Sequence, residues 1–213
     1  MHSASPNTSQ MSFWDRTAPR YARKPIADPE AYEQKLSRVT ALLRPTDRVL
    51  EIGCGTGGTA LRLAPHAASV TGTDISGAMV ALAQAKIGPS NAGNVRFAQA
   101  HALAPQKDAP FDVICAFSLL HLVDDLPATI AHIYDQLEPG GTFVSKTVCL
   151  GDGPWAIRAL VAGLTLIEVA PKVLVLDRHD LIQQFTRAGF EITQTAYFNK
   201  GRTNPFIVAR KPR

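Results

Sequence analysis

The chain has 213 residues, 46% of them hydrophobic and 19% charged, which suits one domain with a buried core and excludes global disorder. The formal charge is +4, but the excess lies at two ends: Arg16, Arg20, Arg23 and Lys24 against Asp15, and Lys200, Arg202, Arg210, Lys211 and Arg213. The body between them is mildly acidic, so no nucleic-acid partner is expected, and the basic ends read as solvated tails.

Residues 1–10, MHSASPNTSQ, lack the charged start and apolar run of a signal peptide; they read as a disordered leader, with Met11 as an alternative start. Cys54, Cys115 and Cys149 are far apart, never in a C-x-x-C pair, and sit in apolar or glycine-rich settings. Buried free thiols in a reducing, cytoplasmic setting are the expectation, and no zinc-ligand spacing is present, so no metal is expected.

The first helix expected after the N-terminal segment starts with Asp28-Pro29 as N-cap and first-turn proline, carries Leu36, Val39, Leu42 and Leu43 on one face, and stops at Pro45. A strand at 48–52, a glycine turn at 53–58 and a short helix from 59 follow. A second strand at 69–75 leads into a helix from Ser76, and after the loop GPSNAGN a third strand spans 95–99. Residues 111–117, FDVICAF, are nearly all apolar, as a parallel strand buried on both faces requires. Ile130, Ile133, Tyr134 and Leu137 mark a helix over 125–138, and Gly140-Gly141 turns into a strand at 142–148. Residues 149–176 read as irregular and apolar; Arg158, Glu168 and Pro171 break the stretch, so it falls short of a membrane span. Asp177 caps a last helix closed by Gly189, and strands at 190–198 and 205–210 form a hairpin. The alternation predicts an α/β fold: a Rossmann-like doubly wound sheet, mostly parallel, with one antiparallel C-terminal strand. The domain plan is a leader over 1–10, then one domain over 11–213. Within it lie an N-terminal helical lid (11–47), a cofactor-binding core (48–148), a substrate roof (149–176), and a C-terminal helix and hairpin (177–213).

The string VLEIGCGTGG sets Gly53, Gly55 and Gly57-Gly58 between a strand and a helix, where glycine lets the backbone approach a ligand. Asp74 ends the second strand about 20 residues on, the place for a carboxylate that accepts ribose hydroxyls; the bland alternative is a cap for the helix at Ser76. Gly53-x-Gly55-x-x-Gly58 also satisfies a dinucleotide fingerprint, which keeps an NAD(P)-binding oxidoreductase as an alternative. Glu51 argues against it, because a carboxylate before the first glycine repels a pyrophosphate and suits a ligand bearing an ammonium group.

Residues 48–147 resemble the cofactor domain of class I S-adenosylmethionine-dependent methyltransferases, within the group that includes the ubiquinone/menaquinone-biosynthesis C-methyltransferases and many small-molecule enzymes. The matching pieces are VLEIGCGTG at 49–57, VTGTDIS at 70–76, FDVICAFSLLHLVDD at 111–125 and LEPGGTFV at 137–144. The resemblance implies S-adenosyl-L-methionine as cofactor, S-adenosyl-L-homocysteine as product, and a small, partly apolar acceptor. It implies Glu51, Gly53, Cys54 and Gly55 at the methionine end, Asp74 at the ribose, and Ile75 and Met79 near the adenine. In QAHALA, His101 stands where the family often has an acid, beside Ala102; either the Ala102 backbone or His101 meets the purine, or His101 is a plain loop residue.

Methyl transfer needs mainly alignment of nucleophile, methyl and sulfur, and a base only where the nucleophile must lose a proton. Ser118 and His121 follow the strand 111–117 at the carboxyl edge, where open α/β sheets bind ligands, and Ser118 is expected among the cofactor-binding residues. His121 is the candidate base, with a ring suited to neutral pH; the alternative is a capping or packing residue. The N-terminal FWDRTAPRYARKPI resembles the group's lid, with Tyr21 over the cofactor, while Phe13 and Trp14 serve equally as core residues of a docked helix. Trp155, Ile157, Leu160, Leu164 and Leu166 suggest a roof over an apolar acceptor, or else a satellite helix or dimer contact. The apolar roof and basic ends leave a membrane lipid or macromolecule as the alternative acceptor.

Overall fold

The computed structural model, which describes residues 8–88, 93–167, 169–198 and 201–213, is organised around one sheet. Its strands are β1 (Arg48–Ile52), β2 (Ser69–Asp74), β3 (Val95–Gln99), β4 (Phe111–Phe117), β5 (Leu137–Lys146), β6 (Glu191–Ala196) and β7 (Phe206–Arg210). They lie in the order β3-β2-β1-β4-β5-β7-β6, with β1 to β5 parallel and β7 antiparallel to both of its neighbours. The helices are α1 (Thr8–Arg23), α2 (Pro29–Thr40), α3 (Gly58–Leu63), α4 (Gly77–Gln84), α5 (Leu126–Asp135), α6 (Trp155–Leu166) and α7 (Arg178–Arg187).

Each face of the sheet carries a core. Val49, Cys115, Val144 and Val208 point toward α2 and α3, with Leu36, Val39, Ala60 and Leu63 packed on them. Leu50, Ile114, Phe143 and Ile207 point the other way, toward α5 and α7 with Ile130, Ile133, Leu181 and Phe185. The period-2 alternation of the strands therefore feeds two cores, which is why the central strands read as unbroken apolar runs. The Phe185 and Phe190 rings lie 5.2 and 5.6 Å from Phe143 and fasten α7 to β5. Each such ring contributes about 1.5–3 kcal/mol on burial.

The helix starts follow their caps: Asp28, Asp125 and Asp177 each accept the N–H three residues on. Ser76 does the same for α4, accepting from Met79 N–H. Three expectations change. Gly140-Gly141 does not end a helix before a strand; β5 already begins at Leu137, and the glycines absorb a register shift against Phe111 and Val113. Residues 149–176 are not wholly irregular, since they hold α6, a 12-residue helix with no buried residue. The leader boundary at residue 10 also moves: α1 starts at Thr8 and Gln10 is buried. Residues 1–7 of that leader, 89–92 of the loop GPSNAGN, Glu168, and 199–200 of the hairpin turn lie outside the described residues.

Candidate cofactor and acceptor site

The strand order reverses between β1 and β4, so the connections leaving these strands diverge and open a crevice at their carboxyl ends. A cavity of about 270 Å³ occupies that crevice. Its floor comes from the strand ends: Ile52, Gly53 and Gly55 after β1, Asp74 and Ile75 after β2, Ala100 to Ala102 after β3, and Phe117 to Leu119 after β4. Met79 of α4 and the turn His121 to Asp124 close two sides. Gln10, Trp14 and Tyr21 of α1, with Pro171 and Val173, close the top. Ten of the sequence-expected positions thus meet at one cavity: Tyr21, Gly53, Gly55, Asp74, Ile75, Met79, His101, Ala102, Ser118 and His121.

The glycine turn is built for close approach. Gly53, Gly55 and Gly57 have φ of +71°, +53° and +76°, the left-handed region that side-chain-bearing residues avoid. A Cβ on Gly57 would stand 2.6 Å from the Phe97 ring, so this position serves packing. At Gly55 the nearest atom to such a Cβ is Tyr21 Cε1 at 4.0 Å, which leaves an open cradle on the cavity side. Asp74 braces the turn: its Oδ2 accepts Gly55 N–H and its Oδ1 accepts Ser76 N–H, each at 2.9 Å. Each oxygen keeps a second lone pair for a ligand hydroxyl. Ser76 caps α4 through Met79 N–H, and Asp74 in turn holds the backbone N–H of that capping residue. Burial raises the Asp74 carboxyl above its ordinary value, opposed by these backbone donors.

The acceptor side carries other chemistry. Ser118 has φ of +54°, a strained conformation for serine, fixed by its N–H donating to Lys146 O at 2.7 Å. His121 is buried, and its Nδ1 has no hydrogen-bond partner among the described residues. Burial lowers its ring pKa to about 4, so at neutral pH it is an uncharged base and does not titrate there as the sequence suggested. His101 is held locally, its Nδ1 accepting Leu103 N–H at 3.2 Å.

Two expected contacts are not in the wall. Cys54 is buried in the core behind the turn, where its thiol donates to Gly55 O, and burial keeps that thiol protonated. Glu51 projects to the α2 face of β1, because β-strand neighbours alternate faces and Ile52 takes the cavity side. There it meets Lys35, whose Nζ donates to Thr59 Oγ1 at 3.1 Å and stands 4.1 Å from the Phe117 ring centroid and 4.5 Å from that of Tyr32. Burial pushes Glu51 well above the ordinary carboxylate range, against the pull of Lys35 and Ala60 N–H. Burial likewise lowers Lys35, against the pull of Glu51.

The N-terminal helix supplied the residues that sequence reasoning missed. Asp15 Oδ1 accepts Ser76 Oγ–H at 2.6 Å and Ala78 N–H at 3.1 Å, pinning α1 to the start of α4. Gln10 Nε2 donates to Leu122 O at 2.9 Å and Lys172 O at 3.1 Å, tying α1 to both acceptor-side segments. Trp14 lies edge-on to Phe13 at 5.2 Å and to Tyr21 at 6.3 Å; Trp14 and Tyr21 line the cavity, and Phe13 packs behind Trp14 without lining it. The acid in FWDR was the available signal, but its partner is 61 residues away. The roof expectation divides: Pro171 and Val173 reach the cavity, whereas Trp155, Ile157, Leu160 and Leu166 are exposed on α6 and do not line it. No group of metal-ligating side chains occurs among the described residues.

A glycine cradle beside a strand-end carboxylate at a topological switch point defines a nucleotide-type cofactor domain. Comparison then gives the family. The methyltransferase domain family matches residues 21–195, most of the chain, so the chain belongs to that family. It is 31% identical over 150 residues to the O-methyltransferase rstn1 of Aspergillus nomiae, covering 69% of this chain and 65% of that protein. It is 34% identical over 110 residues to the ubiquinone/menaquinone biosynthesis C-methyltransferase of Geotalea daltonii, covering 47% and 45% respectively. The chain thus spans about half to two thirds of the curated relatives it matches. A magnesium protoporphyrin IX methyltransferase from Synechocystis, solved with bound S-adenosylhomocysteine, superposes with a TM-score of 0.72 at 19% identity over 97% of each chain. The domain is a class I S-adenosylmethionine-dependent methyltransferase domain, and S-adenosylmethionine is its cofactor. The glycine cradle, Asp74 and the apolar wall of Ile75 and Met79 fit that group, and bound there it supplies an activated methyl on a sulfonium.

Proposed function

We propose that this protein methylates a small, partly apolar molecule carrying an ionisable hydroxyl, with His121 accepting the hydroxyl proton. The observation that carries the reading is His121, buried and uncharged, in the wall of a largely apolar cavity, with an Nδ1 that has no hydrogen-bond partner among the described residues. A phenol suits this site because loss of its proton makes both the oxygen and the ring carbons nucleophilic. The relatives named for O- and C-methylation are both compatible with such an acceptor. In this reading Asp74 accepts the ribose hydroxyls, and Gly53 and Gly55 let the methionine end approach the backbone. Ile75, Met79 and Ala102 flank the adenine, with His101 donating from Nε2. Tyr21 and Trp14 shield the sulfonium from water, and strained Ser118 shapes the junction between cofactor and acceptor. A membrane-lipid acceptor is the second reading, favoured by the exposed apolar side chains of α6. No helix among the described residues is long and apolar enough to cross a membrane.

The test is a methyl-transfer assay with a panel of hydroxylated, aminated and carboxylated apolar metabolites, in buffer and with liposomes, products being read by mass spectrometry. Gain of one methyl on hydroxylated compounds in buffer is expected. Methylation confined to amines or carboxylates refutes the proposed acceptor, and methylation only in the presence of liposomes supports the lipid reading.

A further inference from the structure

Glu51 and Lys35 are, among the described residues, a pair of buried acidic and basic side chains beside the cavity that the methyl-transfer reading leaves without a task. Glu51 is 2% exposed, and its Oε2 has no hydrogen-bond partner among the described residues. Lys35 is 5% exposed; among the described residues its ammonium donates to the neutral Thr59 hydroxyl, stands over two aromatic faces and makes no ion pair, Glu51 acting on it electrostatically from farther off. Yet both touch the cavity wall from behind. Ile52 and Gly53, the next two residues after Glu51, line the cavity, and so does Phe117, whose ring lies under the Lys35 ammonium. A charge placed in the cavity therefore acts on this pair through packed protein, where Coulomb interactions are several-fold stronger than in water.

S-adenosylmethionine carries a sulfonium, an ammonium and a carboxylate, a net charge of plus one. S-adenosylhomocysteine lacks the sulfonium and is neutral overall. The two differ by one methyl and one charge, and the pair stands behind the wall of the cavity that would hold that charge. We propose that Lys35 and Glu51 read this charge: binding of the sulfonium cofactor expels a proton from the pair to solvent, whereas binding of the thioether product does not. The pair thereby helps the protein to hold cofactor over product as pH rises. The inference rests on the cofactor assignment and is independent of the acceptor.

The surroundings agree with this. The groups that face Glu51 are Lys35 and Tyr32 from α2, Cys115 from β4, Cys54 from the glycine turn, Asp74 from β2 and Tyr21 from α1, with Lys146 of β5 acting through Lys35. Burial raises Tyr21, Tyr32 and both cysteines, so these stay protonated near neutral pH. Asp74 meets the part of the ligand that cofactor and product share, so its contribution cancels in the difference. Burial moves Glu51 up and Lys35 down toward the same pH region, which leaves the pair poised to exchange a proton. The sign follows: a cation in the cavity favours ionised Glu51, so cofactor affinity climbs with pH through that region while product affinity does not follow. A shift of one pKa unit changes the cofactor-to-product affinity ratio by up to about tenfold.

Calorimetric titration of the full chain with each ligand, in Tris and in phosphate at several points between about pH 6 and 9, counts the protons released. The expected result is more proton release for S-adenosylmethionine than for S-adenosylhomocysteine, and no such difference in Glu51→Gln. Lys35→Met keeps the inference testable where Glu51→Gln does not fold. Without the ammonium Glu51 ionises later, so the window of release moves to higher pH. Equal release for the two ligands, a difference that persists in Glu51→Gln, or an unmoved window in Lys35→Met overturns the pair's role alone. Absence of binding by either ligand overturns the cofactor assignment with it.

Discussion

Asp15→Ala tests whether α1 belongs to the cofactor site or merely lies on it. The Asp15 carboxylate accepts from Ser76 Oγ–H and Ala78 N–H at the first turn of α4. Hydrogen bonds to a charged group are worth about 1.5–3 kcal/mol each, and water reaches this half-buried pair, so about 2 kcal/mol is expected for both together. The loss falls on α1 docking, because Ser76 still caps α4 through Met79 N–H and both sheet cores are untouched. Where ligand binding requires docked α1, the same 2 kcal/mol weakens S-adenosylhomocysteine by up to about thirtyfold. Asp15→Asn retains an acceptor without the charge and should fall between. Calorimetry gives the affinity, and hydrogen exchange gives the protection of α1 amides relative to those of α4. Faster α1 exchange with unchanged affinity would remove α1 from the cofactor site. Unchanged exchange would show that the Asp15 clamp does not hold the helix.

Asp74→Ala should weaken S-adenosylhomocysteine by about 1.5–3 kcal/mol, measured on a variant whose circular dichroism matches the parent; an unchanged dissociation constant removes Asp74 from the ribose site. Removing residues 1–7 should leave product affinity as it is, whereas removing 1–24 deletes Gln10, Trp14, Asp15 and Tyr21 and should weaken it while the sheet stays folded; equal affinities refute the lid. Because the His121 ring is held down to about 4 from an ordinary 6.5, the stability it lends is full above about pH 6.5 and is lost as pH falls toward 4. The loss reaches about 3 kcal/mol, and denaturation across that window should be flatter in His121→Asn. The same variant should lose about 10²-fold in kcat with product affinity unchanged, and the parent's kcat at saturating cofactor should show no His121 step between about pH 6 and 8. A neutral-range step that disappears in His121→Asn would refute the buried, uncharged ring.

The cofactor half of the site was legible because it is made of short-range grammar. A strand, three glycines and a carboxylate one strand later must meet at a sheet edge whenever the sheet is parallel, and Gly53, Gly55 and Asp74 do so. What the string VLEIG could not reveal was the side to which Glu51 points. Strand alternation puts Ile52 on the cavity and Glu51 behind it, and only the covering helix α2, supplying Lys35, shows what the carboxylate faces. His121 was readable by position but not by protonation state, because its burial depends on Leu174 N–H closing on its carbonyl from a segment 53 residues away. The α6 face misled for a related reason: an apolar stretch near a pocket looks like a roof, yet Trp155 and Leu166 remain 73% and 86% exposed. Charge and burial at this site are set by contacts between distant segments, and the groups so set are the ones on which the chemistry depends. In the reading proposed above the sulfonium lies at the glycine turn; Asp15 and Gln10 hold α1 over the cavity, and Glu51, Lys35 and His121, each displaced by burial toward the uncharged form, stand behind and beside that cavity. A methyl transfer that begins with a sulfonium and, in the proposed reading, ends with a proton on His121 gains from walls of this kind, because their few charges respond to the cofactor and not to water.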